Sequence, residues 1–214
     1  MQTVRLWYEK RDLLRFISHL DTMRCFTRAI VRAEIPIWYT EGFNPHPYIN
    51  FISPVSLGVE CACEPFDIRL VGEMSFEEIK EKINSVLPDD IKIVNITELV
   101  MKPAELSFAR YRIKISDTDI EKLVTSLTSG ALVCTKKTKK GQERIIDVSA
   151  NIKVLNFSID ENSLDIDIVL PCGQELNINP INFNDSLKAH SGLEFFPENI
   201  LRVDLYNNKM EQFL

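Results

Sequence analysis

Val4, Leu6 and Tyr8 alternate with polar residues between Thr3 and Glu9. A period of two predicts a strand with one apolar face. From Ser18 onward the spacing changes: Leu20, Met23, Phe26 and Ile30 recur at helical intervals. That stripe predicts a helix that ends near Pro36. Ser18-His19-Leu20-Asp21 reads as its capping start, with the Ser18 hydroxyl accepting from an early amide and Asp21 facing the positive end of the dipole. Trp38 resumes extended chain, Gly42 to Pro47 makes a stiff loop, and Tyr48 to Ile52 and Pro65 to Val71 read as strands. Ser75-Phe76-Glu77-Glu78 opens a second helix with Phe76, Ile79, Ile83 and Val86 inward, stopped by Pro88. Ile91 to Leu99 is a closing strand. The order is strand, helix, strand, strand, helix, strand, which is the ferredoxin-like split βαβ plan.

The same order returns in the second half. Arg110 to Ile115 reads as a strand, and Asp117 to Ser129 as a capped helix with Ile120, Leu123, Val124 and Leu127 inward and Gly130 at its end. Ala131 to Lys137 is extended. Ile152 to Leu170 reads as a hairpin turning at Asp160-Glu161-Asn162, followed by a helix over Asn182 to His190 and a strand over Ile200 to Tyr206. The pattern leaves open which hairpin of this half is inserted. Met101 to Phe108, with Pro103, is the linker. The predicted fold is α+β, two tandem ferredoxin-like (βαββαβ) lobes over residues 1–100 and 109–214.

The chain has 214 residues, 45% hydrophobic and 26% charged, so it can bury a sizeable core and is not a disordered segment. Its start lacks a hydrophobic run behind a basic patch, and no apolar stretch approaches the roughly 18 residues that span a bilayer, so a cytoplasmic protein without membrane attachment is expected. Five cysteines at irregular spacing do not suggest a disulfide framework. They contain no Cys-x3-Cys-x2-Cys run for a cluster, and no cofactor is expected. A net charge of −6 disfavours indiscriminate binding to nucleic acid. Any such binding must come from local patches.

Four groups of residues offer chemistry. In Gly42-Phe43-Asn44-Pro45-His46-Pro47 the two prolines fix their own φ and hold Asn44 and His46 in extended geometry. His46 is therefore presented on a rigid ramp, suited to binding or acid–base work, or is simply an exposed histidine in a stiff turn. His19 lies in the first turn of a helix, where the dipole favours the neutral ring. Arg24, Arg28 and Arg32 fall four apart and form one ridge, which Arg15 could extend. Their guanidinium forks suit successive phosphates; the plainer reading is a solvated helix face. Lys136, Lys137, Lys139, Lys140 and Arg144 surround Gly141 at a hairpin tip, against the single acid Glu143. Cys61 and Cys63 share a strand face, but their spacing is not that of a zinc knuckle, and no metal site is expected. No serine elbow and no glycine-rich phosphate loop is present.

Leu14-Arg15-Phe16-Ile17-Ser18-His19-Leu20-Asp21, Arg24, Arg28-Ala29, Arg32-Ala33, Gly42 to Pro47, Leu57-Gly58 and Asp67 together resemble the radical-SAM-linked protein family of bacteria. The match is specific over residues 4 to 70. Farther on, the lysine-rich hairpin and Asp147 fit, but Ser149-Ala150 stands where members carry an arginine-proline pair. The resemblance implies a radical SAM protein as partner, carrying the cluster and cobalamin that this chain lacks, and by gene association a link to RNA metabolism. It assigns no activity.

Three functions follow as expectations. The first is an RNA-binding accessory protein that positions RNA for a radical SAM partner, using Arg15, Arg24, Arg28, Arg32, Asn44, His46 and the Lys136–Arg144 cluster. The second is a protein-interaction scaffold with Phe43, Pro45, Pro47 and Tyr48 as its docking surface. The third is a metal-independent endoribonuclease with His19 and His46 as base and acid. The first and third need the arginine ridge and His46 to line one surface.

Overall fold

The computed structural model describes residues 1–137 and 143–214, with backbone only at Lys136, Lys137 and Glu143. The chain is α+β, with antiparallel sheets and four α-helices among the described residues. It divides into two compact units, residues 1–105 with 212–214, and residues 106–211.

In the first unit, β1 (Gln2–Lys10) leads through a short 3-10 turn, Asp12–Phe16, to α1 (His19–Arg32). Then follow β2 (Ile49–Phe51), β3 (Glu60–Leu70), α2 (Phe76–Asn84) and β4 (Ile91–Glu98). The strands lie in the order β4-β1-β3-β2, all antiparallel. Val4, Leu6 and Tyr8 pack on one side with Phe66, Ile68 and Leu70 of β3 and with Phe26, Ala29 and Ile30 of α1. Rings join them: Phe26 lies 4.7 Å from Tyr8 and 4.8 Å from Phe66, and Phe51 stacks on Phe66 at 5.0 Å. Each fully buried ring of this kind contributes roughly 1.5–3 kcal/mol through burial.

Two expectations for this unit change. The buried face of α1 is Thr22, Phe26, Ala29 and Ile30, whereas Leu20 is more than half exposed. Leucine and threonine exchange places because the Thr22 hydroxyl is satisfied by donating to the Ser18 carbonyl, which makes its burial inexpensive. β3 also begins at Glu60, not at Pro65, which sits within it opposite Trp7. Proline removes one donor from the ladder but keeps its acceptor, and its carbonyl takes the Ile52 amide at 3.2 Å.

In the second unit, β5 (Leu106–Ser116), α3 (Ile120–Thr128), β6 (Val133–Lys137), β7 (Glu143–Asp147), β8 (Val154–Asp160), β9 (Ser163–Pro171), α4 (Pro180–Ser191) and β10 (Asn199–Asn207) follow in order. Four strands lie in the order β10-β5-β9-β8, antiparallel throughout. Among the described residues β6 and β7 pair only with each other, so this is the hairpin set apart from the strands β10-β5-β9-β8. Tyr111, Ile113 and Ile115 of β5 share a buried face with Leu164, Ile166 and Ile168 of β9. Asp119 caps α3 by accepting from the Lys122 amide, and Gly192 ends α4 in the left-handed region at φ 65°.

Candidate nucleic-acid interface

The N-terminus of α1 is fixed by reciprocal bonds. The Ser18 hydroxyl accepts from the Asp21 amide at 3.1 Å and donates to the Asp21 carboxylate at 2.7 Å. That donation, followed by the Arg24 guanidinium, holds the Asp21 carboxyl below its ordinary range. With the helix anchored, the four-residue period carries Arg24, Arg28 and Arg32 down one side, about 6 Å apart along the axis.

These side chains line a groove of 680 Å³, floored in part by Cys25 and walled by Val86, Leu87 and Pro88 beyond the end of α2. Arg24 is held by Asp21 at 3.1 Å, an exposed pair worth little on its own. Arg32 donates to the Val86 carbonyl at 2.9 Å, a cation set just past the C-terminus of α2, where the dipole favours it. Arg28 is exposed and has no ion-pair or hydrogen-bond partner among the described residues. Burial pushes the Cys25 thiol up, with Arg32 and Arg28 opposing. A thiol so shifted is less readily ionised, and Cys25 serves as a lining group. Three guanidiniums against one carboxylate leave this wall cationic in a chain whose net charge is −6.

The other expected residues do not line this groove. Arg15 meets the buried Glu60 at 3.3 Å, and its guanidinium lies over Phe16 at 5.0 Å. Glu60 also takes Arg11 at 3.8 Å and the Asp12 amide at 3.2 Å. Arg15 therefore braces the turn before α1. His19 is exposed, with its ring edge-on to Phe51 at 5.3 Å. Asn44 is exposed in the loop ahead of β2, where its carbonyl lies 3.1 Å from His46 Nδ1. The Thr40 hydroxyl is also 3.1 Å from that nitrogen and accepts from the His46 amide at 3.2 Å. These two oxygens hold the exposed His46 ring through its Nδ1. Among the described residues no contact joins His19 to His46.

Lys136 pairs with Arg144 across the β6–β7 hairpin, and Arg144 is exposed. Lys139, Lys140 and Gly141 lie outside the described residues. The far wall of the groove, Val86 to Pro88, reads in the sequence only as the end of an inward helical stripe and its proline stop, with nothing to set it opposite the arginines. Sequence reasoning also missed the cluster in which the Arg69 guanidinium lies 4.7 Å from the Trp38 ring and 4.9 Å from that of Tyr48. Trp38 and Tyr48 stand on either side of the proline loop, one before Gly42 and one after Pro47, and that position is the signal that points to them. Among the described residues no cluster of His, Cys, Asp and Glu could hold a metal ion, and no helix is long and apolar enough to cross a membrane.

Fold and groove together define an α+β protein with an arginine-lined surface cleft. The chain belongs to the family described as "Uncharacterized protein conserved in bacteria (DUF2344)", which matches residues 3–180. It is 29% identical over 126 residues, 59% of its length, to the uncharacterized MFS-type transporter YvqJ of Bacillus subtilis (strain 168), and spans only 28% of that relative. Its fold is similar to a chain in the crystal structure of a Cbf5-Nop10-Gar1 complex. The TM-score is 0.54 at 6% identity, with 94% of this chain and 48% of that one covered.

Proposed function

We propose that this chain is an RNA-binding accessory protein that uses the α1 groove to hold a phosphate backbone and acts with a radical SAM partner in RNA modification or processing. His46 does not line the groove, so the shared surface expected of it and the arginine ridge is not among the supports; what carries the reading is the convergence of Arg24, Arg28 and Arg32 on one 680 Å³ groove, with Arg28 free to take a ligand. Forked guanidiniums spaced one helical turn apart engage successive phosphates, and Asp21 is already occupied by Ser18 and Arg24. Arg144 and the lysines of the hairpin add a second cationic site to the reading. The ferredoxin-like plan for each unit belongs to this proposal; the strand orders β4-β1-β3-β2 and β10-β5-β9-β8 support it. The radical SAM partner rests on the motifs over residues 4–70 that carry the resemblance, and a cytoplasmic setting on the lack of a bilayer-spanning apolar stretch in the sequence.

A cleavage role for His19 and His46 gains no support from their geometry, since general acid–base catalysis needs both imidazoles within reach of one phosphodiester. The test is binding of a structured RNA by the full chain, followed by anisotropy from low to high salt. The reading expects affinity that falls steeply and linearly on logarithmic axes. No binding at low ionic strength overturns it, and co-purification of a radical SAM chain that survives nuclease treatment would favour the scaffold.

A further inference from the structure

The segment from Trp38 to Tyr48 is built as a short two-stranded arm. The Tyr48 amide donates to the Trp38 carbonyl, Tyr39 bridges Pro47, and the Thr40 amide donates to the His46 carbonyl. Gly42, at φ 125°, lets the chain reverse where a residue with a Cβ would be strained. Phe43 stands at the tip, fully exposed. Side chains alternate along such an arm, so Trp38 and Tyr48 share a face with Thr40 and His46, which lie two residues, roughly 7 Å, farther out. The distances agree: the two rings are 5.8 Å apart, and the Thr40 hydroxyl meets the His46 ring.

Arg69 continues that face onto β3, where its neighbours Ile68 and Leu70 are buried on the opposite side. The Trp38 amide donates to the Arg69 carbonyl at 2.7 Å, which locks the two together. Arg5, Arg11, Arg15 and Arg24 each meet a carboxylate. Arg69, by contrast, has only the two rings among the described residues. Its N–H edge is thus a set of unused charged donors beside half-exposed aromatic faces. A cation over rings can be mere packing. Packing does not account for the rest of the strip: an uncancelled guanidinium, two rings, an exposed imidazole and an exposed phenyl, in sequence along a stiffened arm.

We infer that this face is a stacking site for unpaired nucleotides of RNA, in which bases lie against Trp38, Tyr48 and Phe43 while Arg69 donates to phosphate and His46 bonds to base edges. Stacked aromatics with interleaved cations are how sequence-tolerant single-strand sites are made. The inference rests on the RNA reading above and adds the kind of RNA, one with a single-stranded stretch, at a place separate from the α1 groove.

The chain has two tryptophans, and Trp7 is buried, edge-on to Phe213 and bonded to Thr97. Quenching by ligand therefore reports Trp38. The full chain is titrated with an oligoadenylate of about ten nucleotides and, separately, with a blunt RNA duplex lacking unpaired residues. The oligoadenylate is expected to quench the fluorescence and the duplex is not. Phe43→Ala, at a position whose loss leaves the circular dichroism unchanged, weakens oligoadenylate binding about tenfold, and Arg69→Gln acts in the same direction. If oligoadenylate binds without quenching and both variants bind as the parent does, the stacking site is wrong while the groove stands. If neither RNA binds, the RNA reading fails and this inference with it. If Phe43→Ala impairs capture of a protein partner but leaves oligoadenylate binding at the parent value, the arm docks protein and the inference is overturned.

Discussion

Arg5 and Asp67 face each other across β1 and β3 and are joined by two hydrogen bonds, Nε to Oδ1 at 2.8 Å and Nη2 to Oδ2 at 3.2 Å. Both are buried, and Arg5 also donates to the Leu214 carbonyl at 3.0 Å and lies 4.6 Å from the Phe213 ring. Asp67→Ala leaves that guanidinium buried without a counter-charge, so a loss of about 3–5 kcal/mol is expected in urea denaturation. Replacing both members together, Arg5→Met with Asp67→Leu, should recover most of it, because the desolvated charge is gone. A single substitution that leaves the midpoint unchanged would show that solvent reaches the pair.

Much of this fold is legible in the chain because its signals are local. Ser18 and Ser75 announce helix starts, and each hydroxyl does accept from the amide three residues on. The turn at Asp160-Glu161-Asn162 falls between β8 and β9, with Glu161 at φ 36°. What stays hidden depends on partners distant in sequence. Nothing near Asp67 foretells that a residue on another strand would bury it, and nothing near Arg15 foretells Glu60. The arginine ridge is visible as spacing, but its opposing wall at Val86 to Pro88 exists only after α1 and α2 have packed. Residues 212–214 group with the first unit although the chain order puts them after the second.

The second unit carries a comparable fork in a wetter place. Arg110 on β5 bonds through Nε to Asp167 Oδ1 on β9 at 2.7 Å and through Nη2 to Oδ2. The Arg110 bond holds the Asp167 carboxyl below its usual range, against burial. In acid the unfolded chain therefore binds the proton more readily than the folded one, so this contribution is complete above the ordinary carboxylate pKa of about 3.9 and fades as pH falls through the lower folded value. With the side chains a quarter to a third exposed, about 1 kcal/mol or less is at stake. Asp167→Asn should lower neutral stability by about that amount and flatten the acid limb of stability against pH, since the variant meets the parent where the parent's carboxylate is protonated. An acid limb identical to the parent's would rule out Asp167 as its source.

Ser18→Ala removes the acceptor for the Asp21 amide and the donor that holds the Asp21 carboxylate. A loss of about 1 kcal/mol is expected in thermal denaturation, with Ser18→Thr near the parent because its hydroxyl can both accept from the amide and donate to the carboxylate. Asp21 then has only Arg24 to orient it, so Ser18→Ala should also weaken RNA binding slightly through the groove.

Salt dependence separates the arginines that touch phosphate from those that build the fold. Every phosphate of a single strand that a variant no longer neutralises lowers the slope of log affinity against log salt by about 0.7. Arg28→Gln, which breaks no bond within the protein, should reduce the slope by about that amount and leave stability unchanged. Arg15→Gln should do the reverse: Glu60 loses a partner and stability falls, while the slope stays at the parent value. Arg24→Gln and Arg32→Gln lie between, since each gives up an internal bond along with its share of the groove. The measurement is a set of RNA titrations at four or more salt concentrations for every variant. If all four slopes equal the parent's, the phosphates lie elsewhere and the α1 groove is not the interface.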